Sequence, residues 1–187
     1  ANKPFRYNLS VGLADNTSEI TKFDNPSKIL SDYYVGQKLG DIWGYVVDGL
    51  FRTDEEAANY NVDQTAVNFV INTAQVNPGL HAGDMKFVDL DGDHTISSGS
   101  NTADDPGDRK IIGNSLPRYT YSIQGGFDWY GFDFSIYLQG VGHQDWYPGT
   151  NSVFFWGPYA RPYSSFIPRD FLSQVWSPEN PDAYFPR

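Results

Sequence analysis

Three aspartates at alternate positions, Asp89-x-Asp91-x-Asp93, are the group in this chain best suited to chemistry. They occupy positions one, three and five of an EF-hand-like loop, with the Thr95 carbonyl at seven and Ile96 at eight. Alternate carboxylates on a tight turn converge on a hard cation such as Ca2+, and the apolar eighth residue anchors the loop. Two positions depart from the pattern. His94 stands at position six where glycine is usual, and Ser100 at position twelve where a bidentate glutamate belongs. Asp104, Asp105 or Asp108 would supply the missing carboxylate, and Asp108 completes a candidate metal set of Asp89, Asp91, Asp93, Thr95 and Asp108. Two readings need no ion. The turn can close through side-chain-to-backbone bonds, or Lys86, Arg109 or Lys110 can offset the charge, with Arg109 or Lys110 folded back on Asp89 or Asp91.

Other chemistry is sparse. His81, His94 and His143 show no metal-ligand spacing. Glu55 and Glu56 are neighbours that point apart on a helix, so they form no acid/base pair. There is no phosphate loop, nucleophile elbow or Ser/His/Asp signature. With no cysteine there is no disulfide framework, thiolate zinc site or thiol nucleophile. The chain is not expected to be an enzyme. Aromatic residues are more informative: Trp43, Tyr45, Trp146, Tyr147, Phe154, Phe155, Trp156 and Tyr159 fall in regions read below as loops. A flat ring stacks on the apolar side of a sugar, which makes Trp43, Tyr45, Trp146 and Trp156 candidate substrate contacts. The alternative is that such rings pack loop against loop or against a partner protein.

The elements that would carry these residues alternate strictly. Phe5, Tyr7, Leu9, Val11 and Leu13 share one phase; so do Tyr119, Tyr121, Ile123, Gly125 and Phe127; so do Phe132, Phe134, Ile136 and Leu138. Period two marks strands over about 5–14, 118–128 and 132–142. Ten residues at ~3.3 Å each, tilted ~45°, span roughly 23 Å, close to a hydrocarbon core. Aromatic residues sit at the ends of these segments (Phe5, Tyr119, Trp129, Phe132). The second and third segments are joined by a tight hairpin at 129–131, the first and second by about a hundred residues. Transmembrane barrels have short periplasmic turns and long outer loops. The expected fold is therefore all-β: about three strands of a large antiparallel barrel, with extracellular loops at 15–117 and 143–187 carrying short helices. A soluble sandwich would also alternate, but a hundred-residue insert is too long for an ordinary loop. Three strands cannot close in lipid, so this reading needs further strands.

Composition agrees. The 187 residues carry a formal charge of −10, all of it between Asp15 and Pro117, where 17 acidic residues meet 7 basic ones. That excess argues against a nucleic-acid partner or an anionic membrane surface. Aromatics reach 17%, more than a small core requires. No apolar run approaches a membrane helix, and no signal peptide opens the chain. Thr53-Asp54-Glu55-Glu56 reads as a capped helix start, and Pro168–Trp176 as a second short helix.

Four ordered motifs resemble one family. Gly36-Gln37-Lys38-Leu39-Gly40-Asp41-Ile42-Trp43-Gly44-Tyr45 followed by Asp48-Gly49-Leu50-Phe51, Gly83-Asp84 through Asp93, Asp108-Arg109-Lys110-Ile111-Ile112-Gly113-Asn114 with Pro117, and Trp176 to Arg187 are similar to stretches of the SusC/RagA family of TonB-dependent outer-membrane transporters. The resemblance covers the later barrel, without plug, TonB box, N-terminal carboxypeptidase-like domain or terminal strand. It implies a ~22-stranded importer of oligosaccharides or peptides in the outer membrane of a Gram-negative bacterium. It also implies a SusD-like surface lipoprotein as lid, energy through TonB engaged by the missing N-terminal part, and contact with outer-membrane lipid. The alternative from another class is a secreted β-rich glycan-binding module.

Overall fold

The computed structural model describes residues 5–67, 79–149 and 167–187. Strands dominate it. In chain order they are β1 (Phe5–Ala14), β2 (Asp41–Tyr45), β3 (Val47–Leu50), β4 (Met85–Phe87), β5 (Arg109–Asn114), β6 (Arg118–Trp129) and β7 (Phe132–His143). Two helices of about one turn accompany them, α1 (Asp54–Ala58) and α2 (Phe171–Gln174). No helix among the described residues is long and apolar enough to cross a membrane.

The three long strands form one antiparallel sheet in the order β1-β6-β7. They lie where the alternating segments predict strands, and their register explains the alternation. Residues directly opposite one another make five apolar rows: Phe5–Trp129–Phe132, Tyr7–Phe127–Phe134, Leu9–Gly125–Ile136, Val11–Ile123–Leu138 and Leu13–Tyr121–Gly140. The opposite face reads Arg6–Asp128–Asp133, Asn8–Gly126–Ser135, Ser10–Gln124–Tyr137, Gly12–Ser122–Gln139 and Ala14–Thr120–Val141. A slip of one residue would exchange the two faces completely. The apolar face lacks a side chain at Gly125 and Gly140, and at Gly140 the Tyr121 ring lies across the gap: a Cβ there would come within 2.4 Å of it.

Left-handed backbone marks both ends of the β6–β7 pair. Trp129 belongs to the sheet opposite Phe132, so the connection is two residues, shorter than the three-residue turn expected from sequence. Tyr130 (φ 46°) and Gly131 (φ 85°) are both left-handed, the requirement of a type I′ hairpin whose twist matches the strands. At the far end Tyr119 also takes a positive φ of 53°. Its neighbour across the ladder is Gly142, where a Cβ would lie 3.0 Å from the Tyr119 Cβ.

The chain divides into two compact units, Ala1–Phe23 with Val35–Ile42 and Gly113–Tyr147, and Asp24–Tyr34 with Trp43–Ile112 and Pro148–Arg187. The first is the sheet and the segments bound to its loop end. There Asn114 accepts from the Asp145 amide at 3.0 Å, donates its own amide to the Asp145 carboxylate at 2.8 Å, and donates its side-chain amide to Leu39 and Asp41.

The second unit folds around Phe51, Ala57, Phe87 and Ile96, which are buried together with the polar Gln64, Asp84 and Asp108. β3 pairs with β4. Gln64 extends that ladder with its side chain, donating to Met85 O at 2.7 Å and accepting from Phe87 N at 3.2 Å. The Thr53 cap forms as expected: its hydroxyl accepts from the Glu56 amide at 3.1 Å. Glu56 reaches back to the Arg52 amide at 2.8 Å. The helix expected over Pro168–Trp176 shrinks to the four residues of α2, with no side-chain cap. Val175 turns extended and bridges to Phe185 instead, while Phe171 packs on Phe185 at 5.3 Å.

Candidate functional site

The aspartate loop closes into a compact turn. Asp89 Oδ1 accepts from Gly92 N at 2.6 Å and its Oδ2 from His94 N at 2.9 Å. Asp91 accepts from Asp93 N at 3.2 Å, and Asp93 from Thr95 N at 2.7 Å. His94, at the position where glycine is usual, adopts the left-handed conformation that position demands, with φ 65°. Ile96 is fully buried, and Ile96 and His94 bond to the Asp63 backbone at 2.8 Å each, which ties the loop to a second segment. Asp108 is fully buried as well. Its two oxygens accept from Leu90 N and Ser97 N, both at 2.7 Å, so it holds both ends of the loop.

These bonds bring one oxygen each of Asp89, Asp91 and Asp108 within 4.8 Å of one another. The Asp93 carboxylate is not part of that group, and Asp104 pairs with Lys28 at 2.8 Å. Asp105 bonds Ser100. Of the three carboxylates expected to replace the twelfth ligand, the structure brings in Asp108. Arg109 and Lys86 go elsewhere. Arg109 donates to Pro106 O, Ser98 O and Asn101, and Lys86 pairs with Glu56 at 3.2 Å and Asp48 at 3.6 Å. Of the two residues that the salt-bridge alternative could fold back on Asp89 or Asp91, Arg109 does not do so: its guanidinium is occupied in closing the 98–106 turn.

Electrostatics follow from this placement. Desolvation pushes the Asp89 carboxyl up, but the Gly92 and His94 amides outweigh it and hold the group below its ordinary value. Asp91 receives the Asp93 amide, yet desolvation and the negative charges of Asp108, Asp93 and Asp89 together raise it. A concentration of carboxylates that raises one member is the donor chemistry a hard cation would relieve. The residues present fit such an ion in ligand type.

The aromatic candidates separate. Trp43 and Tyr45 both lie on β2 and are half-buried. Tyr45 meets Phe87 edge to face at 6.0 Å, and the Trp43 indole nitrogen is buried without a partner among the described residues. Trp146 is 72% exposed. Trp156, with Phe154, Phe155 and Tyr159, lies outside the described residues.

The sheet is the larger surface. Leu9, Val11, Ile136 and Leu138 are exposed on its apolar face, with Tyr7, Phe132, Phe134 and Trp129 toward the hairpin end. An exposed apolar face of this extent marks contact with lipid or another protein. The polar face carries a recess whose side chains include Tyr137, Gln139 and Ser122. Sequence reasoning passed over these three; the available signal was an aromatic, Tyr137, in the polar phase of an alternating strand.

No family model matches the chain. It is similar to the TonB-dependent receptor P39 of Formosa agariphila, 28% identical over 158 residues that cover 72% of this chain. The match takes in 14% of that receptor's length, so the chain spans a small part of its relative. This similarity supports a relationship to TonB-dependent receptors.

Proposed function

We propose that these residues are part of a TonB-dependent nutrient importer in the outer membrane of a Gram-negative bacterium, and that they act in transport rather than catalysis. One observation carries the reading: a three-stranded sheet in strict register, exposed and apolar on one face and polar on the other. Water would not leave such an apolar face uncovered, whereas a bilayer matches it and leaves the polar face to a lumen. Strands of 10 and 12 residues suit that span. Similarity to a TonB-dependent receptor supports the same reading.

In the finer form of the proposal the parent protein is of the SusC/RagA type. The Tyr130–Gly131 hairpin faces the periplasm, and 15–117 and 143–187 are extracellular. A SusD-like lipoprotein covers those loops, and TonB engages a part of the receptor outside these residues. The solute is an oligosaccharide or peptide, met first by Trp43, Tyr45, Trp146 and Trp156. Asp89, Asp91 and Asp108, with Asp93 and the Thr95 carbonyl nearby, hold Ca2+ that stiffens the loop.

The decisive experiment uses the full-length parent in its own host. Outer-membrane fractionation, a heat-modifiable gel shift and surface protease cleavage within 15–117 are the expected results, with uptake lost when TonB is deleted. Recovery of a soluble, secreted protein would replace the importer with the glycan-binding module.

A further inference from the structure

Residues 171–187 hold their own shape. The Trp176 amide donates to Phe185 O and the Phe185 amide to Gln174 O, both at 2.9 Å. The Asn180 amide donates to Ser177 O at 2.9 Å, and its side chain to Ser173 O at 2.9 Å. The Phe171 and Tyr184 rings pack on Phe185 at 5.3 and 4.9 Å. Bonds and ring contacts that close within the segment make a compact loop packed by its own side chains.

That loop meets the 15–117 insert, within the same compact unit, at the turn 81–84 and at Arg52. At the turn, the Arg187 amide donates to Gly83 O at 3.0 Å, its Nε to Asp84 Oδ1 at 2.8 Å and its Nη2 to Asp84 Oδ2 at 3.5 Å. Asp84 is buried and also accepts from His81 N at 2.9 Å. The Trp176 ring lies against Gly83, where a Cβ would come within 2.5 Å of it. Arg52 Nη2 donates to Asp182 Oδ1 at 2.7 Å, but both side chains are mostly exposed. Beside these contacts Trp176 Nε1 and His81 Nε2 are buried without a partner among the described residues. A self-contained piece is thus joined to the insert by one buried ion pair, one ring on a glycine and one exposed ion pair.

We propose that residues 171–187 form a releasable clasp, closed on the insert by the Asp84–Arg187 pair and able to detach as a preformed piece. Three features set the balance between closed and open forms. The buried pair holds the closed form, because a carboxylate left buried without its partner is costly. The exposed Arg52–Asp182 pair adds little. The two unpaired nitrogens favour release, because water would supply the hydrogen bonds that the closed form lacks. Gly83 lets the ring seat: its φ of 90° and the missing Cβ both suit glycine alone. Closed, the clasp makes the 81–84 turn and the tail one body; open, it frees the tail while the bonds inside it persist. The clasp stands whether or not the parent is an importer, since each of its residues lies in one compact unit.

The test uses the purified full-length parent, spin-labelled at Glu55→Cys and Glu179→Cys, with hydrogen exchange on the same variants. The unaltered protein should show one dominant short distance. Arg187→Gln and Asp84→Asn should each populate a second, longer distance, shifting the ratio about tenfold or more. Combining them should add little, because both remove the same pair. Arg187→Lys should keep the short distance dominant, and Asp182→Asn should shift the ratio by less than about fivefold. Exchange separates release from melting: in Arg187→Gln the Arg187 amide should lose protection while the Trp176 and Phe185 amides keep theirs. A short distance alone in both Arg187→Gln and Asp84→Asn would make the segment a fixed brace and overturn the clasp. Loss of protection at all three amides together would overturn it too, since the piece would then unfold rather than detach. If Arg187→Gln does not fold, Gly83→Ala, whose methyl would strike the Trp176 ring, takes its place with the same two readouts.

Discussion

Asp15 accepts two hydrogen bonds from the Arg118 guanidinium, at 2.5 and 2.6 Å, across 103 positions of sequence. One residue follows β1 and the other opens β6, so this pair closes the base of the hundred-residue insert. The Tyr119 amide adds a bond at 3.4 Å, and the guanidinium lies 5.1 Å over the Tyr119 ring. The Arg118 hydrogen bond outweighs desolvation and holds the Asp15 carboxyl below its ordinary value. A depressed carboxyl contributes stability that is present above its unfolded pKa and lost as pH falls through the folded value. The closure should therefore loosen from about pH 4 downward. Hydrogen exchange at residues 13–15 and 118–120 should speed up across that window in the parent protein. Asp15→Asn should exchange fast already at neutral pH. Identical pH profiles for the two proteins would remove the pair from this role.

The apolar rows predict an asymmetry between adjacent residues. Ile136 lies in the central row with Leu9 and Gly125, whereas Ser135 points to the other face with Asn8 and Gly126. If the apolar face meets lipid, Ile136→Arg places a charge near the bilayer midplane and should cost ~2–4 kcal/mol of barrel stability. Ser135→Arg enters water and should be nearly neutral. Urea unfolding of the refolded parent in lipid vesicles measures both. Equal penalties would exclude a lipid-facing assignment.

The long sheet was legible because its signal is local and redundant. Each strand repeats its period four or five times, and a register error would reverse every side chain at once. Thr53 was legible for a similar reason, since a cap and its partner lie three residues apart. The second unit was not, because its organisers act at a distance. Gln64 completes β4 from 21 residues away, and nothing in its neighbourhood distinguishes it from a surface glutamine. Asp108 looked like one of three interchangeable acids until its two bonds to Leu90 and Ser97 set it inside the loop. Sequence adjacency offers Arg109 as one of three possible counter-charges, with Lys86 and Lys110, but its three acceptors lie in the 98–106 turn. The helix over 168–176 failed because the Val175–Phe185 bridge competes with its last turn.

The hairpin gives a prediction about folding. Gly131 (φ 85°) pays no steric cost for the left-handed conformation, but Tyr130 (φ 46°) does. Gly131→Val should destabilise the hairpin by ~1–2 kcal/mol and slow barrel assembly. Tyr130→Asn, which supplies the residue type that type I′ turns prefer, should hold or raise stability. Refolding kinetics into vesicles compares the two. A slower Tyr130→Asn variant would mean that the exposed Tyr130 ring anchors the membrane interface more than the turn geometry matters.

The aspartate loop makes the sharpest chemical prediction. Asp91 sits beside Asp89 and Asp108, and Arg109 is engaged elsewhere. Desolvation and the neighbouring charges of Asp108, Asp93 and Asp89 together raise the Asp91 carboxyl despite the Asp93 amide. Removing that charge should therefore help the ion-free loop and harm the ion-bound one. Asp91→Asn is expected to slow proteolysis within 89–108 in chelator, and to abolish the further protection that Ca2+ gives the unaltered protein. Asp108→Asn should behave differently, because both its oxygens accept backbone amides and it is fully buried. It should loosen the loop with or without the ion. Calorimetric titration should give a dissociation constant on the order of 10⁻⁴–10⁻³ M, the range of extracellular Ca2+ modules. If millimolar Ca2+ gives neither heat nor protection, while Asp91→Asn still slows proteolysis, the amides of Gly92, His94, Leu90 and Ser97 hold the turn by themselves and the loop has no metal.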